Sequence, residues 1–233
     1  MDGILLVDKP KGWTSFDVVG KVRSVITKSD LNTTGKKRFP VGHTGTLDPL
    51  ATGLLVLLLG DYTKKAPALT KLDKIYEVTM KLGETSTTGD DEGEKTNVSS
   101  QQPTESEVEA ALQTFTGELL QTPPIYSAIK VNGQRAYKLA RAGKAVEIEP
   151  RKITIYKNEL QTYKYPLVTF TVEVSSGTYV RSLVEDLGKT LGTGAYMSDL
   201  HRTKVGQFDL RNAITVQNLS PEAITATAFR QTE

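Results

Sequence analysis

The chain has 233 residues with no cysteine, two histidines, and 29 basic against 27 acidic residues, a formal charge of +2. The lack of cysteine excludes disulfides, thiolate metal sites, cysteine nucleophiles and iron–sulfur clusters, and two histidines, His43 and His201, make a histidine metal site a poor fit, so no metal is expected. The length suits one domain or one domain with an insertion, the longest apolar run (54–59) is far short of the ~20 residues of a membrane helix, and an acid in the first residues argues against a signal peptide, so a cytoplasmic protein is expected.

Taken in order, residues 3–7 read as a first strand, and Asp8-Lys9-Pro10-Lys11-Gly12-Trp13 as a turn-rich loop. Thr14 or Ser15 then caps a helix whose apolar spacing is Phe16, Val19, Val22 and Ile26. Residues 29–41 are polar, basic and without periodicity, which predicts a loop. Residues 41–53 contain three glycines and a proline, a composition that forbids regular helix and central strand and predicts a shaped loop. The apolar strand 54–59 follows, then a short helix over 61–70 and a half-buried strand over 74–83.

The acidic stretch 84–103 reads as a loop, and Glu105, Val108, Ala111, Leu112 and Phe115 as one face of a helix. Prolines 123 and 124 break the chain. Residues 126–131 lead into Asn132-Gly133, a hairpin turn, and a helix is predicted over 134–142. Two long strands, 151–162 and 166–175, meet at Lys164-Tyr165-Pro166. Ser176-Gly177-Thr178 opens a helix with Val180, Leu183, Val184, Leu187 and Leu191 on one face, and a last strand spans 195–206. Strands and helices alternate irregularly with hairpin-like adjacencies, which predicts an α+β fold.

The near-zero charge is segregated. Residues 1–72 and 124–233 each carry an excess of five bases, and 73–123 an excess of eight acids. The densest basic stretch, 124–152, holds seven bases, Lys130, Arg135 and Lys138 among them, against two acids. It suits contact with nucleic-acid phosphates, and equally a solvated charged hairpin and helix.

No phosphate-binding Gly-Lys-Ser/Thr loop, dinucleotide fingerprint or Gly-x-Ser-x-Gly elbow occurs, so no nucleotide cofactor is expected. Asp48 is the one carboxylate in the glycine-built loop, and Pro49 makes its backbone extended and its placement reproducible. Such a carboxylate can act as nucleophile or base, or an Asp-Pro pair can simply open a turn. Tyr179 and Arg181 sit at a predicted helix start, where an arginine is unusual because the helix dipole favours acids. Arg181 either pairs with Glu185 at the surface or keeps a neighbouring carboxylate ionised. Tyr76 is a strand aromatic with the same two readings, packing or function.

Five segments occur in order: Lys9-Pro10-x-Gly12-x-Thr14-Ser15; Gly42-His43-x-Gly45-Thr46-Leu47-Asp48-Pro49-x-Ala51-x-Gly53; Tyr76; Pro123-Pro124-x-Tyr126-Ser127-Ala128-x-Lys130; and Ser176-Gly177-Thr178-Tyr179-x-Arg181. Together they closely resemble the TruB-type tRNA pseudouridine synthases, over about residues 3–210. The resemblance implies the pseudouridine synthase catalytic fold, a mainly antiparallel mixed sheet flanked by helices, here as a single domain (1–233) with a thumb-like RNA-binding insertion at about 123–152. It leaves no room for the C-terminal PUA-type module usual in bacterial relatives.

The resemblance further implies an isomerase that converts uridine to pseudouridine in the T-loop of tRNA, usually at position 55, without cofactor, membrane or guide RNA, as a monomer. Asp48 takes the place of the family's nucleophile, with attack at C1′ of the ribose or at C6 of the base both open. Tyr76 matches the catalytic tyrosine that stacks on the target base and takes part in the proton transfer completing the reaction, and Arg181 the arginine that pairs with the catalytic aspartate. Tyr179 and Leu200 match site-lining residues, and His43 the histidine that fills the stack vacated by the flipped nucleotide. Lys130, Arg135 and Lys138 fall in the thumb. Lys9 lies in a motif read as a buttress of the catalytic loop. The alternative reading is a non-catalytic RNA-binding or tRNA-folding protein on the same scaffold.

Overall fold

A computed structural model describes residues 1–230 except 36, 128, 132 and 143–147; the side chains of residues 130, 131, 135, 137, 140 and 141 also lie outside the description. The chain forms two compact units, Met1–Tyr76 with Leu200–Glu233, and Glu77–Asp199. Among the described residues no helix is long and apolar enough to cross a membrane.

The first unit opens with strand β1 (Gly3–Lys9) and helix α1 (Ser15–Thr27). Thr14 caps α1 through a box in which its hydroxyl accepts from the Asp17 amide and the Asp17 carboxylate accepts from the Thr14 amide, satisfying amides that the helix leaves open. The buried stripe of α1 is Ser15, Val18, Val19, Val22 and Ile26. Phe16, expected in that stripe, instead stands 68% exposed: it lies about 120° around the helix from Val22, and Val18 takes the inward place.

Residues 41–53 are less irregular than expected. Strand β2 (Val41–His43) pairs antiparallel with β3 (Thr52–Leu59), so the true loop is 44–51. Beta3 also pairs antiparallel with β1 from Gly3↔Leu59 to Lys9↔Gly53. The apolar run 54–59 is explained by two covered faces. Leu55, Leu57 and Leu59 pack with Leu5, Val7 and the α1 stripe, whereas Leu54, Val56 and Leu58 pack with Ile4, Leu6, Leu69 and Phe208. Next come a 3-10 turn at Gly60–Lys65, helix α2 (Ala66–Leu69) and the start of strand β4 (Lys74–Leu82).

The second unit holds the rest of β4 and then a small hairpin, β5 (Glu84–Ser86) and β6 (Lys95–Asn97), inside the stretch expected to be a loop. These strands are polar, β5 half-buried and β6 exposed, so they carry no apolar alternation. Helix α3 (Glu105–Thr114) has a second capping box, Thr104 with Glu107. Strand β7 (Gly117–Gln121) follows, and then β8 (Lys130–Val131), β9 (Gln134–Arg135) and α4 (Ala136–Arg141), close to the hairpin and helix expected there. Strands β10 (Arg151–Lys164) and β11 (Leu167–Val174) pair antiparallel across the cis Tyr165-Pro166 turn, and β10 pairs on its other edge with β7. Helix α5 (Val180–Thr190) buries Val180, Leu183, Val184 and Leu187 as its spacing predicts, while Leu191, expected on the same face, is its half-buried C-cap.

Strand β12 (Ala195–Val205) begins in the second unit and ends in the first. There it pairs parallel with β3, His201↔Thr52 and Arg202↔Gly53, and has β4 as its other neighbour. The tail, weak in sequence signals, forms β13 (Phe208–Asp209), β14 (Ile214–Thr215) and α6 (Pro221–Thr227). It is tied down by the parallel pair Val7↔Ile214 and by burial of Val216, Leu219 and Ile224 against the core. The outcome is an α+β fold, with a mixed sheet flanked by helices.

Candidate active site

In the first unit the loop 44–51 is held from both sides. Pro49 and Asp48 form a turn closed by the Ala51 amide donating to the Asp48 carbonyl at 3.1 Å, with proline at the position where its fixed φ favours turning. Leu47, Leu50 and Ala51 are buried, and Asp48 between them is half-buried. The Ser15 hydroxyl accepts from the Leu47 amide at 2.8 Å and donates to the Leu47 carbonyl at 3.0 Å. The Gly12 amide donates to the Pro49 carbonyl at 2.8 Å. Lys9, fully buried, donates from Nζ to the carbonyls of Pro10, Trp13 and Pro49, which makes it the buttress expected of it.

The other side of the loop is held by a residue that sequence reasoning passed over. Arg202 is 2% exposed, and donates to the Leu54 carbonyl at 2.8 Å and the Gly45 carbonyl at 3.0 Å. Its own carbonyl would lie 2.4 Å from a Cβ at position 53, where φ is +93°, so only glycine fits there. Lys74 is buried beside it and donates to the carbonyls of Thr70 and Leu72. Two buried cations, Lys9 and Arg202, therefore hold carbonyls of the loop that presents Asp48. An arginine in a strand reads as a surface charge, and only the β3–β12 register reveals its role.

Beta12 places Leu200 next to the end of this loop: the Thr52 hydroxyl bonds the Leu200 carbonyl at 3.4 Å and His201 Nδ1 at 2.8 Å. Tyr76 is 8% exposed on the neighbouring β4. The structure thus brings the Asp48 loop, Leu200 and Tyr76 onto three adjacent strands. His43, half-buried at the end of β2, meets the Phe16 ring in a T-shaped contact, 5.5 Å between centroids and 85° between planes. Burial, and then the Arg202 charge, push its pKa down, so its ring is neutral at pH 7.

Burial and Arg202 also pull the Lys74 ammonium down, to about 8 from 10.5. Below pH 8 both folded and unfolded chains carry this proton. Between the two values the unfolded chain alone holds it, so stability owed to this group rises with pH. The stability of the wild type relative to Lys74→Met is expected to increase from pH 8 to pH 10, read by urea denaturation; a difference independent of pH contradicts this.

In the second unit, Arg181 is 8% exposed on the first turn of α5. It donates to the carbonyls of Thr88 at 3.0 Å and Tyr126 at 2.9 Å, and lies 3.5 Å from the Asp90 carboxylate. Glu185, one turn on along α5, also feels its charge. Asp90, 3% exposed and also accepting from the Thr88 hydroxyl, was not distinguishable in the acidic run Asp90-Asp91-Glu92; only its burial sets it apart. Tyr179 caps α5 through a two-way amide bridge, its N–H donating to Gln121 at 2.7 Å and its carbonyl accepting from Gln121 at 3.0 Å. Ser182 donates to the Thr122 carbonyl at 3.0 Å. Lys130 and Arg135 are register partners across β8 and β9, and their side chains lie outside the described ones. Lys138 is exposed on α4.

Comparison with known proteins is consistent along the chain. The model of the TruB family pseudouridylate synthase N-terminal domain matches residues 32–180, and that of the tRNA pseudouridylate synthase B C-terminal domain matches 181–232. The tRNA pseudouridine synthase B of Stutzerimonas stutzeri is 45% identical over 219 residues, 94% of this chain and 68% of that protein. That of Ectopseudomonas mendocina is 46% identical over 226 residues, 97% and 70% respectively, and that of Burkholderia lata 46% over 220, 94% and 65%. The chain thus spans about two thirds of the length of these curated relatives. Among solved structures, the Cbf5-Nop10-Gar1 complex superposes with a TM-score of 0.71 at 29% identity, over 93% of this chain and 53% of that one. An H/ACA RNP bound to a substrate RNA gives 0.67 at 27% identity, over 93% and 52%.

Proposed function

Because the chain belongs to the TruB family of tRNA pseudouridine synthases, we propose that it isomerises uridine 55 in the T-loop of tRNA, with Asp48 as nucleophile toward a flipped-out base. The observation that carries this reading is the Asp48 loop, which Lys9, Ser15 and Arg202 pin through its own backbone, so that one carboxylate is presented in a fixed place. A preorganised charge of this kind costs no reorganisation when the reaction begins.

The chemistry is an isomerisation. The N1–C1′ bond breaks, the uracil turns while held, a C5–C1′ bond forms, C5 loses its proton and N1 gains one. Asp48 attacks at C1′ or at C6 and is released when the new bond closes. For Arg181 we carry over the role of the guanidinium that keeps the nucleophile ionised, which favours attack over protonation. Tyr76 is assigned to stacking on the uracil, Leu200 and Tyr179 to lining its site, and His43 to filling the gap left in the RNA stack. Flipping costs a few kcal/mol, and stacking on a side chain returns about 1–3. The protein is proposed to work without a guide RNA. The test is release of tritium from tRNA transcript labelled at uridine C5, because every turnover removes that hydrogen; labelled RNA that stays intact and bound would favour the non-catalytic binder.

Residues 123–152 are proposed to be the RNA-binding thumb. Changing Lys130, Arg135 and Lys138 together to Ala is expected to weaken tRNA binding about 10- to 100-fold at low salt. It should also flatten the dependence of log Kd on log salt by about 2 to 3, close to one counterion per lost phosphate contact. Filter binding across salt concentrations checks this, and an unchanged slope returns the segment to a solvated hairpin.

A further inference from the structure

We propose that Phe16 and Trp13 form a stacking platform beside His43 that takes an unpaired base of the substrate RNA next to the flipped uridine. This rests on the reading of the chain as a tRNA pseudouridine synthase and adds a second aromatic subsite to it. The largest apolar side chain of α1 is 68% exposed, outside the helix's buried stripe, although that stripe is otherwise filled with valines and Ile26. Phe16 is not loose on the surface: its ring meets the His43 ring edge to face, five residues before Asp48 in the chain.

Between Phe16 and Trp13 lies a surface hollow of about 470 Å³, bounded also by Gly12, Asp17, Gly20 and Lys21. A Cβ at Gly12 or Gly20 would meet nothing within 4 Å, so the two glycines leave that wall open. The hollow therefore offers flat aromatic walls with a cation at its margin, and Lys11 is exposed close by in sequence. The one acid, Asp17, is already engaged by the Thr14 amide at 2.8 Å and the Thr14 hydroxyl at 2.6 Å. A neutral imidazole beside the rings extends the stacking surface instead of adding another charge. Aromatic faces edged by lysines fit a nucleotide, base on the ring and phosphate on the ammonium, better than they fit a protein surface. The excess of five bases over acids in residues 1–72 favours the same partner.

Trp13 is the sole tryptophan of the chain, so its fluorescence reports directly on the hollow. Titrating the protein with an unmodified T-arm stem-loop RNA is expected to quench that emission along the binding curve. Phe16→Ala is expected to raise Kd and KM for the stem-loop about 5- to 30-fold, the lower part of the range for losing one stacked base. Phe16→Tyr, which keeps the ring, should restore both. The side chain is exposed, so a thermal melt equal to that of the wild type is expected for both variants. A wild type that binds the RNA without quenching, together with a Phe16→Ala variant of unaltered Kd and KM, overturns the platform alone. A wild type that neither binds the stem-loop nor releases tritium from it overturns the reading on which the platform rests.

Discussion

Asp48→Asn is expected to lower single-turnover tritium release by about four orders of magnitude or more, while tRNA binding stays within a few fold of wild type. The size follows from removing the carboxylate proposed to form the covalent bond, because an amide is a far weaker nucleophile. The retained binding follows from the loop. Asparagine has the shape of aspartate and is equally at home before a turn. The backbone of residues 45–49 is fixed by Lys9, Ser15 and Arg202, not by the Asp48 side chain alone. Rapid-quench kinetics on labelled tRNA, beside filter binding, measure both. Turnover near the wild-type rate would remove Asp48 from the role of nucleophile.

Arg202→Met is expected to cost about 3 kcal/mol of stability and roughly 100-fold in turnover. Methionine fills much of the space but donates nothing, and leaves the Gly45 and Leu54 carbonyls without the guanidinium that serves them both. A buried acceptor left without its donor costs about 1–3 kcal/mol. The loss is partly offset because Arg202 also repels the neighbouring Lys74 ammonium and lowers its pKa. The kinetic loss reflects displacement of the Gly45 end of the loop, since a shift of about 1 Å can cost that much. Arg202→Lys keeps the charge but not the fork, and should recover only part of either effect. Urea denaturation and steady-state kinetics read the two losses separately; loss of stability with full activity would show that Arg202 supports the sheet and not the site.

Residues whose patterns are local were legible in the sequence. The run 54–59 announced an apolar strand, the glycine-rich segment 41–53 before it located Asp48 in a shaped loop, and the period of α5 named most of its core residues. Residues whose meaning comes from partners far along the chain were not. Arg202 meets the Asp48 loop only because β12 pairs with β3 across about 150 residues of sequence. Asp90 is buried by packing, and its two acidic neighbours in sequence are exposed. The strands β5, β6 and β7 lack the apolar alternation that a buried face imposes. Phe16 was misplaced for a different reason: hydrophobicity alone put it inside, whereas Val18 completes a stripe of the same helical period and leaves the larger ring outside.

The most direct test of the account is to incubate the protein with unmodified tRNA transcript and map pseudouridine along the whole molecule, with the Asp48→Asn variant in parallel. Pseudouridine at position 55 alone, made by the wild type and not by the variant, is the predicted result. Pseudouridine at another position, product from the variant, or bound tRNA without any pseudouridine would contradict it.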